Sequence, residues 1–441
     1  MDHLDALMLA RIQFAVTIGV HILFPTLTIG LSGWLAILEF RHMRTGNPEL
    51  QRLLRMWTKV FAIAFGMGVV SGVVLSYEFG TNWSEFSRRT GAVMGPLLSY
   101  EVLTAFFLEG SFLGIMLFGR GKVPRWMSFF ATLMVALGTM LSAFWILAAS
   151  SWMHTPDGHA LRDGIFIPAD WWRIVFNPSF PYRLAHMLTA AYLTSAFVIA
   201  GVGAWYLLRF GPGNAYGRIM MRSALPLLAV LAPAQLVIGD LHGLNVRDHQ
   251  PVKLAAMEAH WETGVMPLVL FALPDMKAER NRYEVAIPKL GSLIVAHDLN
   301  APVKGLDIVP PEDRPFVPIV FWSFRIMVGI GLIMIVAGFA GVLLWASHRL
   351  WDARWYHRFM TLGIPFGFVA VLAGWTTAEA GRQPWVVQGL MRTADGVSPV
   401  GGGSVAGSLL AFGAVYALVL AAGIVYMIRV LRAGPGAKGG H

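Results

Sequence analysis

Nine stretches of this chain are too long and too apolar to be anything but membrane spans. They lie at about 10–38, 57–79, 93–118, 127–150, 184–208, 223–240, 319–346, 359–378 and 404–430. A spanning helix needs roughly 20 mostly apolar residues, because each residue rises about 1.5 Å against a hydrocarbon core about 30 Å thick. Helix is also the one open-chain solution there, since an unpaired N–H or C=O in hydrocarbon has no water to bond. The pattern predicts an all-α integral membrane protein, a bundle of about nine transmembrane helices. With 56% hydrophobic and only 13% charged residues, the chain has too little polar surface for a soluble domain of 441 residues. The first run follows Asp2, Asp5 and Arg11 and outlasts the apolar core of a signal peptide, with no small-residue cleavage site after it, so it reads as a retained helix.

The net charge of +9 does not point to nucleic acid, because the basic residues are scattered over loops with no aromatic-interleaved stripe. Their use is orientation. Lys and Arg crowd the short segments around 41–59, 120–125, 209–222, 349–358 and 429–438, whereas the alternate segments carry Arg11, Arg88, Arg89, Arg162, Arg173, Arg183, Arg382 and Arg392. The positive-inside rule then puts the N-terminus outside and the C-terminus in the cytoplasm. The organisation expected is helices one to six over 1–240, an external segment over 241–318, helices seven to nine over 319–431 and a flexible tail over 432–441. The external segment carries nine prolines and opens with a short helix after Pro251; a loop of that length is usually functional. Gly401–Gly403 reads as flexible. The absence of cysteine excludes disulfides, iron–sulfur clusters, thiolate copper and c-type haem attachment, so any metal must be held by His, Met, carboxylate or backbone.

Ionisable groups inside spans are costly and face a bundle interior, a cavity or a cofactor. His21 lies four residues before Pro25, whose ring and missing N–H open the helix locally. His186 and Met327 start the fifth and seventh spans at matching depth; facing each other, they suit the two axial positions of a low-spin haem, with Arg325 near a propionate. Glu101 and Glu109 stand eight residues apart on the third span, about 12 Å of rise, too far to share a metal ion and suited to a proton relay through hydroxyls such as Ser142. The stretch from Gly374 to Trp385 sets Trp375, Glu379, Arg382 and a helix-stopping Gly and Pro at the membrane edge, where a flat anionic cofactor fits. Each residue also admits a plain role: core histidine, packed methionine among 22, interhelical hydrogen bond, interfacial anchor.

Taken together, Arg11-Ile12-Gln13-Phe14 with His21, Gly80-Thr81-Asn82-Trp83, Glu101 followed by Phe106 to Glu109, Lys253 to Glu258, Phe321 to Met327 and Glu379 to Trp385 closely resemble subunit I of the cytochrome bd family of quinol oxidases, including its cyanide-insensitive members. The likeness spans nearly the whole chain. It implies that His186 and Met327 hold a low-spin haem b with Arg325 beside it, and that His21 and Glu379 each hold a high-spin haem. It implies three haems in all: low-spin haem b, high-spin haem b, and a second high-spin haem that is haem d or haem b. Lys253, Glu258 and Asp240 would contact quinol, Glu101 and Glu109 would carry protons, and Arg382 would pair with a propionate or hold Glu379. The segment 241–318 looks like the short version of the family's quinol loop.

The resulting expectation is a quinol:oxygen oxidoreductase of the bacterial inner membrane, working with a second membrane subunit and a small accessory polypeptide. Quinol would be oxidised at the outer face and dioxygen reduced to water with protons from the cytoplasm, giving a gradient without pumping. Two rivals use fewer of the residues. A haem-free transporter leaves Met327 and the Lys253–Glu258 segment idle, and a simple cytochrome b relay has no need of His21 and Glu379.

Overall fold

The computed structural model describes residues 5–436; Asp2, Lys438 and the end of the tail expected at 432–441 lie outside the described residues. Among those described, nine helices are long and apolar enough to cross a membrane. They are α1 (Ala6–Thr45), α2 (Pro48–Thr81), α3 (Ser84–Gly119), α4 (Arg125–His154), α5 (Phe180–Phe210), α6 (Ala215–His249), α8 (Val317–Ala346), α9 (Arg354–Ala380) and α10 (Gly402–Ala433). A short α7 (Pro251–Glu258) stands between the sixth and seventh of them.

Local chemistry sets the ends. Asp5 caps α1 by accepting from the Leu7 and Met8 N–H groups, and Gly46, at φ 65, closes it in the left-handed region. Asn47 then caps α2 ahead of Pro48, so two long helices turn back on each other through two residues. Pro25 is absorbed within a continuous α1; what it leaves free is the backbone carbonyl of His21, four residues earlier. α9 is broken at Gly363–Pro365 between two helical stretches.

The helices pack as two rings of four. α1, α2, α3 and α4 close one ring, and α5, α6, α8 and α9 close the other, with α1 and α4 against α5 at the joint and α10 lying on α1 and α2. Small residues make the packing close: at the joint a Cβ on Gly30 would sit 2.6 Å from the Ala191 carbonyl, and within the second ring one on Gly367 would sit 2.4 Å from the Thr194 hydroxyl. The main apolar core, around Trp34, Trp57, Phe61, Phe197, Tyr206 and Tyr356, seals the half of the molecule away from the long loop.

Two boundaries differ from expectation. α6 continues to His249, nine residues past the expected end of its span, because Asn245 bonds the Pro178 carbonyl and Arg247 the Val295 carbonyl, which hold the extra turns under the loop. Gly402 and Gly403 form the first turn of α10 instead of a flexible link, with Gly401 as its cap residue. The loop opens with α7, every residue of which from Lys253 to Glu258 is buried, then forms an antiparallel hairpin of Leu268–Asp275 and Arg280–Ile287. The membrane face on which it stands is called the loop face below.

Candidate functional site

At the loop face, where the two rings meet, the last turn of α9 presents Glu379 to side chains from four other segments. Its Oε1 accepts from His154 Nε2 at 3.0 Å and lies 3.8 Å from Arg183, while Oε2 is paired with Arg382. On the far side of the imidazole, Lys253 Nζ lies 2.8 Å from His154 Nδ1 and 2.8 Å from Gln250 Oε1, and Gln250 in turn donates to Gln388 at 3.0 Å. A carboxylate on Nε2 and an ammonium on Nδ1 fix the neutral tautomer with its proton on Nε2. Burial holds the Lys253 ammonium well below the usual lysine range and Arg183 pushes it the same way, with Glu379 opposing both.

This cluster sets two guanidinium groups and the Lys253 amine against one carboxylate. Arg183 Nε and Arg382 Nε and Nη1 are buried with no hydrogen-bond partner among the described residues. A buried excess of positive charge with three idle donors is costly unless an anionic acceptor completes it. A haem brings two propionates, so the donor set fits that group, with Glu379 itself able to face iron.

The other expected haem residues sit on the rings on either side. His186, on α5, lies beside α6, where a Cβ on Gly239 would come 3.3 Å from its ring, and its Nδ1 is buried without a partner. Met327, on α8, lies against α9, where a Cβ on Gly374 would stand 2.7 Å from its sulfur. The neighbouring Trp375 is partly buried. His186 and Met327 thus approach from opposite pairs of one ring. Arg325 is not free for a propionate: it pairs with Glu258 at 2.7 Å and donates to the Val269 carbonyl at 2.7 Å. His21 belongs to the first ring, its Nδ1 2.9 Å from Ser71 and its Cε1 3.2 Å from where a Cβ on Gly72 would lie.

Glu101 bonds Ser142 at 2.8 Å, as the spacing suggested, but α3 is not regular there. Residues Glu101–Phe106 and Ile115–Gly119 form π-helical turns, a feature that gathers at functional sites. Glu109 lies against Gly138, so the two carboxylic side chains meet α4 four residues apart, about 6 Å, instead of the 12 Å that a plain helix suggests for their backbones. Towards the opposite face, Arg120 is no loop charge. It is tucked against Glu39 at 2.6 Å and Thr58 at 3.2 Å, and Ser128 completes Glu39 at 2.9 Å.

The three expected quinol residues do not converge. Lys253 points inward to His154, Glu258 pairs with Arg325, and Asp240 is exposed on α6. Glu258 does line a cleft of about 350 Å³ with His260, Trp261, Met266, Asn281 and Glu284, within the size range of small-molecule sites. His260 Nε2 donates to the Val303 carbonyl at 3.1 Å, which leaves Nδ1 as its basic nitrogen, and burial lowers its pKa.

Sequence reasoning missed His154, Arg183, Glu39 and His242, whose ring lies 5.7 Å from that of His186. His154 closes α4 at a membrane edge, where a lone histidine looks like an interfacial residue; only tertiary structure puts Lys253 and Glu379 on its two nitrogens.

Comparison with known proteins identifies the family. Residues 9–435 match the family described as cytochrome bd terminal oxidase subunit I. The chain is 35% identical to cytochrome bd ubiquinol oxidase subunit 1 of Bacillus subtilis (strain 168), covering 98% of this chain and 94% of that one, and 32% identical to cytochrome bd-II ubiquinol oxidase subunit 1 of Escherichia coli (strain K12), covering 98% of each. Its fold matches the bd oxidase of Geobacillus thermodenitrificans with a TM-score of 0.90 at 31% identity, over 98% of this chain and 99% of that one. Nine spans, a cationic cradle around Glu379 and full-length similarity to these proteins lead to one conclusion: the chain belongs to the cytochrome bd terminal oxidase subunit I family.

Proposed function

We propose that this chain holds haem at His186 with Met327, at His21 and at Glu379, oxidises quinol at the loop face, and supplies dioxygen with protons drawn from the opposite face. The enzyme is a quinol:oxygen oxidoreductase and a multi-pass membrane protein. Three haems complete the reading, a low-spin haem b, a high-spin haem b and a high-spin haem d or b. Its place is the bacterial inner membrane with the loop face outward, and its partner is a second membrane subunit, with a small accessory polypeptide.

The observation that carries the reading is the charge excess at Glu379. Arg183 and Arg382 outnumber the carboxylate, and three of their buried guanidinium nitrogens have no acceptor among the described residues. When bound, the haems supply one-electron transfer and a site for dioxygen. The chain's own residues do the rest. In the cleft beside α7, Glu258 and His260 stand as acceptors for the two hydroxyl protons of quinol, with Arg325 fixing Glu258 at 2.7 Å. Lys253, turned inward, ties this helix through His154 to Glu379. Across the membrane, Glu39 with Ser128, then Glu109, then Glu101 with Ser142 follow α4 from the opposite face toward the interior, a succession of proton-holding groups along one helix. Protons released at one face and taken up from the other separate charge without a pump.

A reduced-minus-oxidised spectrum of the purified oxidase, with and without carbon monoxide, tests this. High-spin haem that responds to carbon monoxide is expected beside a low-spin signal. His186→Ala should remove the low-spin signal alone, and Glu258→Ala should impair quinol oxidation with all haem retained. Absence of haem, or a low-spin band that survives His186→Ala, overturns the assignment.

A further inference from the structure

A second buried polar cluster lies away from the residues used above, where α1, α2 and α10 meet near the loop face. Glu78, on α2, is fully buried and accepts a hydrogen bond from the Thr17 hydroxyl of α1. Gln13, one turn earlier on α1, is 1% exposed and takes a hydrogen bond from Ser408 of α10 at 2.9 Å. Tyr416 of α10 is 4% exposed and brings its hydroxyl to the same pair. Glu78 Oε2, Gln13 Nε2 and the Tyr416 hydroxyl are each sealed from the surface without a protein partner, as is Asn82 Nδ2 at the end of α2. One orphaned polar atom is a defect; several aimed into one place, a carboxylate oxygen among them, form a lining.

Position gives the lining a direction. Gln13, Thr17 and His21 follow one another at intervals of four on a single face of α1, about 12 Å of rise from first to last. On α2, Glu78 and Ser71 lie seven residues apart on one face, and Ser71 is the residue bonded to His21. Leu75, 8% exposed, and the partly buried Val74 lie between those two on the same face of α2, separating the cluster from the His21 contact.

We propose that Gln13, Thr17, Glu78 and Tyr416 form an internal water-binding site on the loop-face side of His21, ending one helical turn short of it. Water is the ligand this lining suits. It donates to Glu78 Oε2, accepts from Gln13 Nε2 and exchanges a hydrogen bond with the Tyr416 hydroxyl, the two to four partners a buried water requires. Resting on the reading of His21 as a haem ligand, the site gives the water formed from dioxygen a polar way out that avoids the carboxylates of α3, with Leu75 as its inner barrier.

The chain contains no cysteine, so a single introduced thiol reports its own surroundings. Thr17→Cys and Ser195→Cys are placed separately in the intact oxidase; both positions are 1% exposed, but Ser195 is satisfied by the Leu27 carbonyl at 2.9 Å in a dry contact. Silver ion, close to water in size, is added to right-side-out membrane vesicles, and protection of the thiol from later alkylation is timed. Thr17→Cys should react at least about tenfold faster, because the thiolate is the reactive form and it needs water beside it. Glu78→Leu in the same background should slow it to the Ser195→Cys rate, and Leu75→Ala should leave it unchanged. Equal rates at the two thiols overturn the proposal. High-resolution electron microscopy of the unmutated oxidase gives a second reading that no substitution can disturb: ordered density bonded to Glu78 Oε2, Gln13 Nε2 and the Tyr416 hydroxyl supports it, and direct side-chain pairing of those atoms overturns it. Neither measurement depends on haem. A wet site in a protein without haem sinks the oxidase reading alone, and a dry site in a haem-loaded protein sinks this one alone.

Discussion

Replacing His154 separates the structural from the functional meaning of the joint cluster. The side chain is fully buried, with Glu379 3.0 Å from one nitrogen and Lys253 2.8 Å from the other. His154→Ala leaves Glu379 with its two arginines and without the donor that sets its orientation from α4. A hydrogen bond to a charged group contributes about 1.5–3 kcal/mol, which corresponds to roughly 10- to 150-fold in an equilibrium constant. Outer-shell partners of metal ligands have effects of the same size. The expected outcome is a 10- to 100-fold weaker hold on the haem at Glu379, with the low-spin signal from His186 and Met327 intact. His154→Gln supplies the control. Its amide donates through N–H to Glu379 and accepts through oxygen from Lys253, the same pattern as the neutral imidazole, so it should restore most of the loss. Haem titration of the purified oxidase, read separately in the high-spin and low-spin bands, measures both. Equal affinity in wild type and His154→Ala, or loss in His154→Gln matching that in His154→Ala, refutes the reasoning, because each denies that the donor–acceptor pattern at position 154 matters.

Three further outcomes are expected. Gly374→Ala puts a Cβ 2.7 Å from the Met327 sulfur; the flexible thioether can swing aside, so thermal stability should barely move while the low-spin spectrum loses its methionine character, and an unchanged spectrum counts against Met327 as a ligand. Glu101→Ala and Ser142→Ala, which break one 2.8 Å bond from either side, should each slow turnover with haem content unchanged, and the double variant should be no slower than the worse single one; additive losses would place the two residues on separate routes. Asp307, exposed in the loop, is held below the usual carboxylate range by the side-chain and backbone bonds of Thr263. Its folded pKa lies under its unfolded one, so its stabilising effect is present above about pH 4 and lost as pH falls through the folded value. Hydrogen exchange at Thr263 should be slower in the wild type than in Asp307→Asn above that range and converge with it below; parallel curves would show the carboxylate to be idle.

The spans were legible because hydrophobicity over some twenty residues is a signal that no tertiary contact overrides. Helix ends were less so. α6 runs on to His249 through Asn245 and Arg247, whose partners are the Pro178 and Val295 carbonyls, and neither partner is near in sequence. Single titratable residues inside spans were equally visible, which is why His21, His186, Glu101, Glu109 and Glu379 could be singled out. What they touch was not. The π-turn at Glu101–Phe106 has no composition of its own, yet it decides where Glu101 and Glu109 meet α4. Arg120, counted as an orienting loop charge, folds back onto Glu39. Lys253 and Glu258 stand five residues apart on a short helix and read as a pair, but their bonds are to Glu379's neighbour and to Arg325.

That last separation has a mechanistic consequence. α7 is eight residues long and buried from Lys253 to Glu258, so it is a rigid link: Glu258 at its C-terminal end lines the cleft, and Lys253 near its start bonds His154. A ligand that draws Glu258 away from Arg325 cannot do so without loading the helix whose other end holds Lys253 on the imidazole bonded to Glu379. The cationic excess at Glu379 makes that end sensitive, because displacement of Lys253 changes the hydrogen bonding of the imidazole on the carboxylate in a place where little solvent screens charge. Occupancy of the cleft should therefore shift the spectrum of haem held at Glu379, with His154 between the two, and a spectrum indifferent to a quinol analogue bound in the cleft would refute this.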